Sequence, residues 1–205
     1  CSFGCPVQAR WNAARFVDAA RGHGAKVLTE KAVTGILTRG GQVTGVRCRL
    51  QEYHDDLVVV AAGALETPRL LGSVGVPTAP LFCDTFASIG GVCPGIRFNQ
   101  DVPMGAYVPQ NSSLILTHYS RQLVAALQGT GHAVGDGDVL GMMVKIADED
   151  TGSVGETIEK GVTGTDARRL AEGSSVAGAI FAEAGADHST FVSLRLRGSH
   201  RGGTA

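Results

Sequence analysis

The sequence predicts an α/β chain, α+β overall, and three observations carry that prediction. First, Ala13, Phe16, Val17 and Ala20 recur at i, i+3, i+4 and i+7, the apolar stripe of an amphipathic helix. Pro6 suits the first turn of such a helix, and Gly22 or Gly24 suits its end. Second, residues 25–29 and 32–39 read as strands; Gly40 and Gly41 then form a turn into 42–50, where Val43, Val46 and Cys48 stand among polar residues. This is the pattern of a hairpin or small meander. Third, residues 57–62 form a continuous apolar run that meets Gly63 and leads into a short helix over 64–71. A run of that kind predicts a buried strand of a parallel sheet.

The later part of the chain repeats the mixture. Residues 81–108 combine alternating stretches with glycine turns, and 112–127 read as a strand leading into a helix. Residues 138–150 read as a strand ending in an acidic turn. Thr165 is placed to cap a helix over 166–184, with Leu170, Ala177, Phe181 and Ala184 on one face and Gly185 as its stop. A strand follows, with Val192, Leu194 and Leu196 on one side and Ser193, Arg195 and Arg197 on the other. His200 then comes just past a strand end.

Composition excludes several classes of function. The chain has 205 residues, 43% of them hydrophobic, enough for a buried core and one or two domains. Eighteen Lys and Arg against 19 Asp and Glu leave a net charge of −1 without any basic block, so nucleic acid is not an expected partner. No apolar run reaches the roughly 20 residues of a membrane helix, and no charged-then-apolar leader opens the chain. No membrane association is expected, and the expected location is the cytoplasm. Five cysteines, Cys1, Cys5, Cys48, Cys83 and Cys93, are an odd number without a scaffold's spacing, which predicts reduced thiols. Twenty-nine glycines beside only 5% aromatics suit a backbone that approaches a large ligand closely.

Several residues invite a chemical reading and are given a structural one. Cys1 and Cys5 lack the second pair that a zinc site needs, so no metal is expected. His54, Asp55 and Asp56 read as a solvated turn before a strand, and Asp148, Glu149 and Asp150 as a solvated loop. His118 lies at a strand end, where a hydrogen-bonded structural histidine is the plainer reading and a substrate-facing one the sharper. Met142 and Met143 read as core or pocket wall. The strand-to-helix junction at Gly63 is different in kind, because in open α/β sheets a glycine there lets backbone approach a bound group.

Taken in order, "CSFGCPVQARW", "FVDAARGHGAKVLTEKAVTGILTRGGQVTGVRC" and "LVVVAAGALETPRLLGSVGV" resemble the glucose–methanol–choline (GMC) family of FAD-dependent oxidoreductases. Gly63, Ala64, Thr67, Pro68, Leu70, Leu71 and Gly75 match one family segment, with Val76 conservative; Gly72, Val74 and Pro77 depart from it. "SHRGGTA" is similar to the family's catalytic-histidine stretch at His200, Gly203 and Thr204, with Arg201 where proline is usual. The resemblance covers residues 1–77 and 160–205.

What it implies is specific. Residues 1–77 would be part of an FAD-binding, Rossmann-like domain, 78–198 a β-sheet-rich substrate domain, and 199–205 the start of the return into the first. Backbone at Val33 would meet the adenine, Ala61, Ala62 and Gly63 would pass the dinucleotide, Gly203 and Thr204 would contact the cofactor, and His200 would be the base. The implied reaction is hydride transfer from the CH–OH carbon of a small-molecule alcohol to the flavin while histidine takes the hydroxyl proton. No Gly-x-Gly-x-x-Gly follows a strand; the string at Gly22 to Val27 reads as a helix-to-strand turn. The chain is therefore expected to be an internal-to-C-terminal part of such an enzyme, binding FAD weakly on its own. Two rivals remain at this point: a flavin-dependent reductase or desaturase of related fold, and a non-catalytic component that self-associates or binds a partner through an apolar surface.

Overall fold

The computed structural model describes residues 12–100, 104–149, 151–196 and 201–202. Helix and strand both contribute substantially, and the chain divides into two compact units, one over residues 1–78 and one over 79–204.

The first unit contains helix α1 (Ala14–Gly22), strands β1 (Gly35–Arg39), β2 (Gln42–Cys48) and β3 (Gln51–His54), and helix α2 (Gly63–Gly72). The strands form one antiparallel sheet in the order β1-β2-β3. Gly40 and Gly41 both hold positive φ, 59° and 80°, between the paired Arg39 and Gln42. That is the mirror-image turn whose twist suits a two-residue hairpin, and two adjacent glycines adopt it without strain. The end of α1 falls at Gly24, whose φ is 91°, after His23 N–H donates to the Ala19 carbonyl.

Two expected strands are absent here. Residues 25–29 form no ladder, and Val27 and Leu28 are 41% and 55% exposed. The apolar run 57–60 forms none either, with Leu57 77% and Val59 80% exposed. A strand exists only where a neighbour accepts its N–H and carbonyl groups. No strand among the described residues pairs with 57–60, and the sheet β1-β2-β3 does not extend to it. Conversely, His54, expected in a solvated turn, ends a strand: residues 51–54 pair as β3 with β2 from Gly45↔His54 to Cys48↔Gln51.

In chain order the second unit holds β4 (Phe82–Cys83), β5 (Phe86–Val92), β6 (Tyr107–Pro109), β7 (Leu114–Thr117), α3 (Arg121–Gly129), β8 (Val139–Lys145), β9 (Ser153–Val154), β10 (Ile158–Glu159), α4 (Gly164–Glu183), β11 (Asp187–Leu196) and β12 (Arg201–Gly202). Five of them make an antiparallel sheet in the order β11-β5-β8-β7-β6. Alternation along β5 and β8 sends Ala87, Ile89, Leu140, Met142 and Val144 into one core with Leu170, Ala177 and Phe181 of α4. Val139 packs in a second core with Leu123, Val124 and Leu127 of α3, joined by Val92, Val192 and Leu194. Phe181 and Phe191 meet edge to face at 5.5 Å.

The N-cap of helix α4 lies two residues before the expected one. Thr163, not Thr165, is its N-cap: the Thr163 hydroxyl accepts the Asp166 N–H at 3.1 Å, and Asp166 accepts the Thr163 N–H at 3.1 Å. That reciprocal box satisfies two orphan donors at once. Gly173 joins the buried stripe, where a Cβ would strike Val144, and Ala184 is exposed at the C-cap.

Candidate functional site

In the first unit, three of the site residues expected from sequence form the entry to α2. Ala61, Ala62 and Gly63 are exposed, and the Ala62 N–H donates to the Thr67 hydroxyl at 3.0 Å. The Thr67 side chain, itself buried under α2, therefore holds the turn from inside the helix. Gly63 sits at φ 84°, and a Cβ built there meets nothing within 4 Å. The turn is thus shaped for glycine and open to a group approaching the backbone. Val33 is 39% exposed in the segment that enters β1. Small side chains and accessible backbone fit a flat dinucleotide held by main-chain contacts.

His200, Gly203 and Thr204, with Cys1 and Cys5, lie outside the described residues. Their chain neighbours Arg201 and Gly202 are described as β12, which pairs with β4: Arg201↔Cys83 and Gly202↔Phe82. The strand that follows His200 in sequence is thereby anchored on the second unit.

Phe82 and Cys83 also line a cavity of about 550 Å³ in that unit, together with Asp84, Asn111, Ser112, Ser113, Leu114, Lys145, Ile146, Ala147 and Arg169. Lys145 Nζ contacts Asp84 Oδ2 at 2.5 Å, with both side chains about one-fifth exposed. Arg169 Nη1 donates to the Ala147 carbonyl at 3.2 Å and stands 3.8 Å from Asp166.

Behind this cavity lies an ionic framework that overturns the solvated-loop reading of Asp148. Its side chain is 1% exposed and meets Lys160 at 3.0 Å. It accepts the Cys83 N–H at 2.8 Å and the Thr85 hydroxyl at 2.9 Å. Asp166 is fully buried and accepts the Glu149 N–H at 3.1 Å. Burial opposes ionisation of Asp166, but hydrogen bonds from Thr163 and Glu149 and the charge of Lys160 outweigh it and hold its pKa below the ordinary carboxylate value. Asp148 and Asp166 are buried because each of their carboxylate oxygens accepts a donor there, whereas Glu149 is half-buried and Asp150 lies outside the described residues.

His118 is buried; its backbone N–H donates to the Gly141 carbonyl at 2.9 Å. Its ring Nδ1 finds no hydrogen-bond partner among the described residues, so the expectation of a hydrogen-bonded structural histidine is not met at that atom. Burial pushes the imidazole pKa below its ordinary value. Met142 and Met143 are core residues, Cys48 and Cys93 are buried free thiols, and Cys83 is buried. His54 ends β3, and Asp55 Oδ1 accepts the Asp56 N–H at 2.8 Å, a turn closed by its own side chain. Among the described residues no three metal-ligating side chains converge, and no helix is long and apolar enough to cross a membrane.

Sequence reasoning missed Asp84, Lys145 and Arg169 as one group. They come from β4's end, β8 and α4, and no local spacing announces a meeting of residues 61 positions apart. A signal did exist for the cap: Thr163-x-x-Asp166 is the box pattern, and Thr165 lacks an acid three residues on.

The GMC oxidoreductase family model matches residues 1–97, a span that contains β1 to β3, the Ala61–Gly63 turn and α2. An uncharacterized protein of Methanocaldococcus jannaschii is 30% identical over 154 residues, covering 72% of this chain and 40% of its own length. An uncharacterized GMC-type oxidoreductase of Mycobacterium tuberculosis, present in two strains, is 30% identical over 141 residues, covering 66% of this chain and 22% of its own length. The chain therefore spans well under half of these curated relatives. Both likenesses that carry a family name point to one class of protein, the GMC-type oxidoreductases. The chain belongs to the GMC oxidoreductase family.

Proposed function

We propose that these residues form part of an FAD-dependent oxidoreductase acting on the CH–OH group of a small-molecule alcohol. The observation that carries this reading is the family match across the α2 entry, where an exposed turn ends in the open, positive-φ Gly63. In this reading the first unit contributes to a Rossmann-like FAD domain, with Val33, Ala61, Ala62 and Gly63, and later Gly203 and Thr204, as the backbone positions beside the cofactor. The second unit, with its antiparallel sheet, is the substrate domain. Bound FAD would supply the acceptor for the hydride leaving the alcohol carbon.

The chain's own chemistry is proton handling. A neutral imidazole at His200 accepts the hydroxyl proton as the carbon is oxidised, and a group titrating near neutral pH suits that exchange. Pairing of β12 with β4 supports the assignment, because it ties the strand after His200 to residues that line the cavity.

The test is a comparison of wild type with His200→Ala in the protein carrying this sequence. Flavin absorbance should persist in the variant while oxidation of alcohols falls by about 10²- to 10⁴-fold, the usual contribution of a general base. Undiminished turnover would remove His200 from the mechanism, and a protein that neither carries nor takes up FAD would remove the flavin reading.

A further inference from the structure

We propose that the cavity between β4, β7, β8 and α4 binds the carboxylate head of an otherwise apolar small molecule. As a substrate assignment this rests on the function proposed above, and it makes the alcohol a hydroxy acid with an apolar body.

Three features argue for that class. The volume, about 550 Å³, lies in the range of small-molecule sites. The lining alternates apolar groups, Phe82, Leu114 and Ile146, with charged ones, so an apolar body and a charged head are both accommodated. The charged side chains lining it are two cations, Lys145 and Arg169, against one carboxylate, Asp84, a net charge of +1. One negative charge on a ligand balances it. Phosphate, with nearly two, overshoots and brings its second charge against Asp84.

Arg169 supplies the geometry. Its Nη1 donates to the Ala147 carbonyl, which restrains one end of the guanidinium. Nε and Nη2 have no partner among the described residues, and the side chain is one-third exposed. Two parallel N–H donors held in place are the fork that a carboxylate accepts side-on. Lys145, held by Asp84 at 2.5 Å, adds a second positive charge to the lining. Asp166, 3.8 Å from Arg169 Nη1, does not line the cavity, and its charge is shared with the N–H groups of Thr163 and Glu149 that it accepts, so it offsets Arg169 only in part.

The experiment is titration calorimetry on the full chain without flavin, using octanoate, 1-octanol and inorganic phosphate as probes. Octanoate should bind saturably, and 1-octanol and phosphate each at least roughly tenfold more weakly, the loss expected when a charged hydrogen-bonded head or the apolar body is missing. Arg169→Gln should weaken octanoate by a similar factor, with Arg169→Lys intermediate because it keeps the charge and loses the fork. Lys145→Met, which leaves α4 untouched, should also weaken it and stands in if the Arg169 variants do not fold. Octanol equal to octanoate, phosphate equal to octanoate, or octanoate affinity indifferent to both substitutions would overturn the proposal. Because no step requires flavin, failure here leaves the redox reading standing, and a protein that never takes FAD leaves the carboxylate site standing.

Discussion

The two units treat their apolar residues in opposite ways. In the second, Phe181, Leu123, Leu127, Val139 and Val144 are fully buried in two cores on the two faces of one sheet. In the first, α1 buries nothing, α2 buries only Thr67 and Pro68, and Phe16, Leu57 and Val59 are between 67% and 80% exposed. Yet it is the first unit that lies wholly within the family match. Sequence motif and self-contained packing are thus separate properties. A loop-and-helix motif is kept by what approaches it, whereas a core is kept by what the unit itself encloses.

The largest expected effect breaks the comparison at its core. Phe181→Ala removes a ring with no solvent exposure that packs edge-on against Phe191, and should cost about 3–5 kcal/mol. Val59→Ala, at 80% exposure, should cost less than about 0.5 kcal/mol. Urea unfolding of both variants checks this. Equal losses would mean that the two units share their burial in a way their separate packing does not express.

This asymmetry also explains what was legible beforehand. Elements announced by a local pattern read correctly, even where their partners are distant: the Gly40–Gly41 hairpin, the strand over Leu114–Thr117 leading into α3, and the Leu170, Ala177, Phe181 stripe. Readings that turned on whether a distant partner exists did not. The run 57–60 has the composition of a buried strand, but composition cannot say whether a neighbour exists to complete the ladder. Asp148 has the composition of a solvated loop, but its burial depends on Thr85 and Lys160, reached only through the fold. The candidate junction at Ala61–Gly63 was readable because a glycine turn into a helix is local. The cavity with Asp84, Lys145 and Arg169 was not, because it is a product of topology.

A smaller effect sharpens the same contrast at the helix ends. Neither α1 nor α2 has a side-chain cap, since Ala13 and Ala62 occupy those positions, whereas α4 opens on the Thr163–Asp166 box. Thr163→Ala should destabilise the second unit by about 1 kcal/mol, and Thr165→Ala by no more than a few tenths. Thermal melts of the pair decide between the two residues. A larger loss at Thr165 would return the helix start to where its sequence alone suggested.

The smallest effect is read through pH and concerns His118. Burial lowers its folded pKa below the unfolded value of about 6.5, so between those two values the unfolded chain binds the proton that the folded chain refuses. Stability from this group is complete above about pH 6.5 and is lost as pH falls through the folded pKa. Melting temperature should therefore decline on acidification from about pH 7 toward 5, and His118→Gln should flatten that decline. The carboxylates act at lower pH: Asp166, held ionised by Thr163 and Glu149, loses its contribution only as pH falls below about 4. The two ranges are separable in one titration series. A decline between pH 7 and 5 that survives His118→Gln unchanged would show that the unpartnered Nδ1 does not resist protonation, and that the packing around Gly141 admits a charged ring.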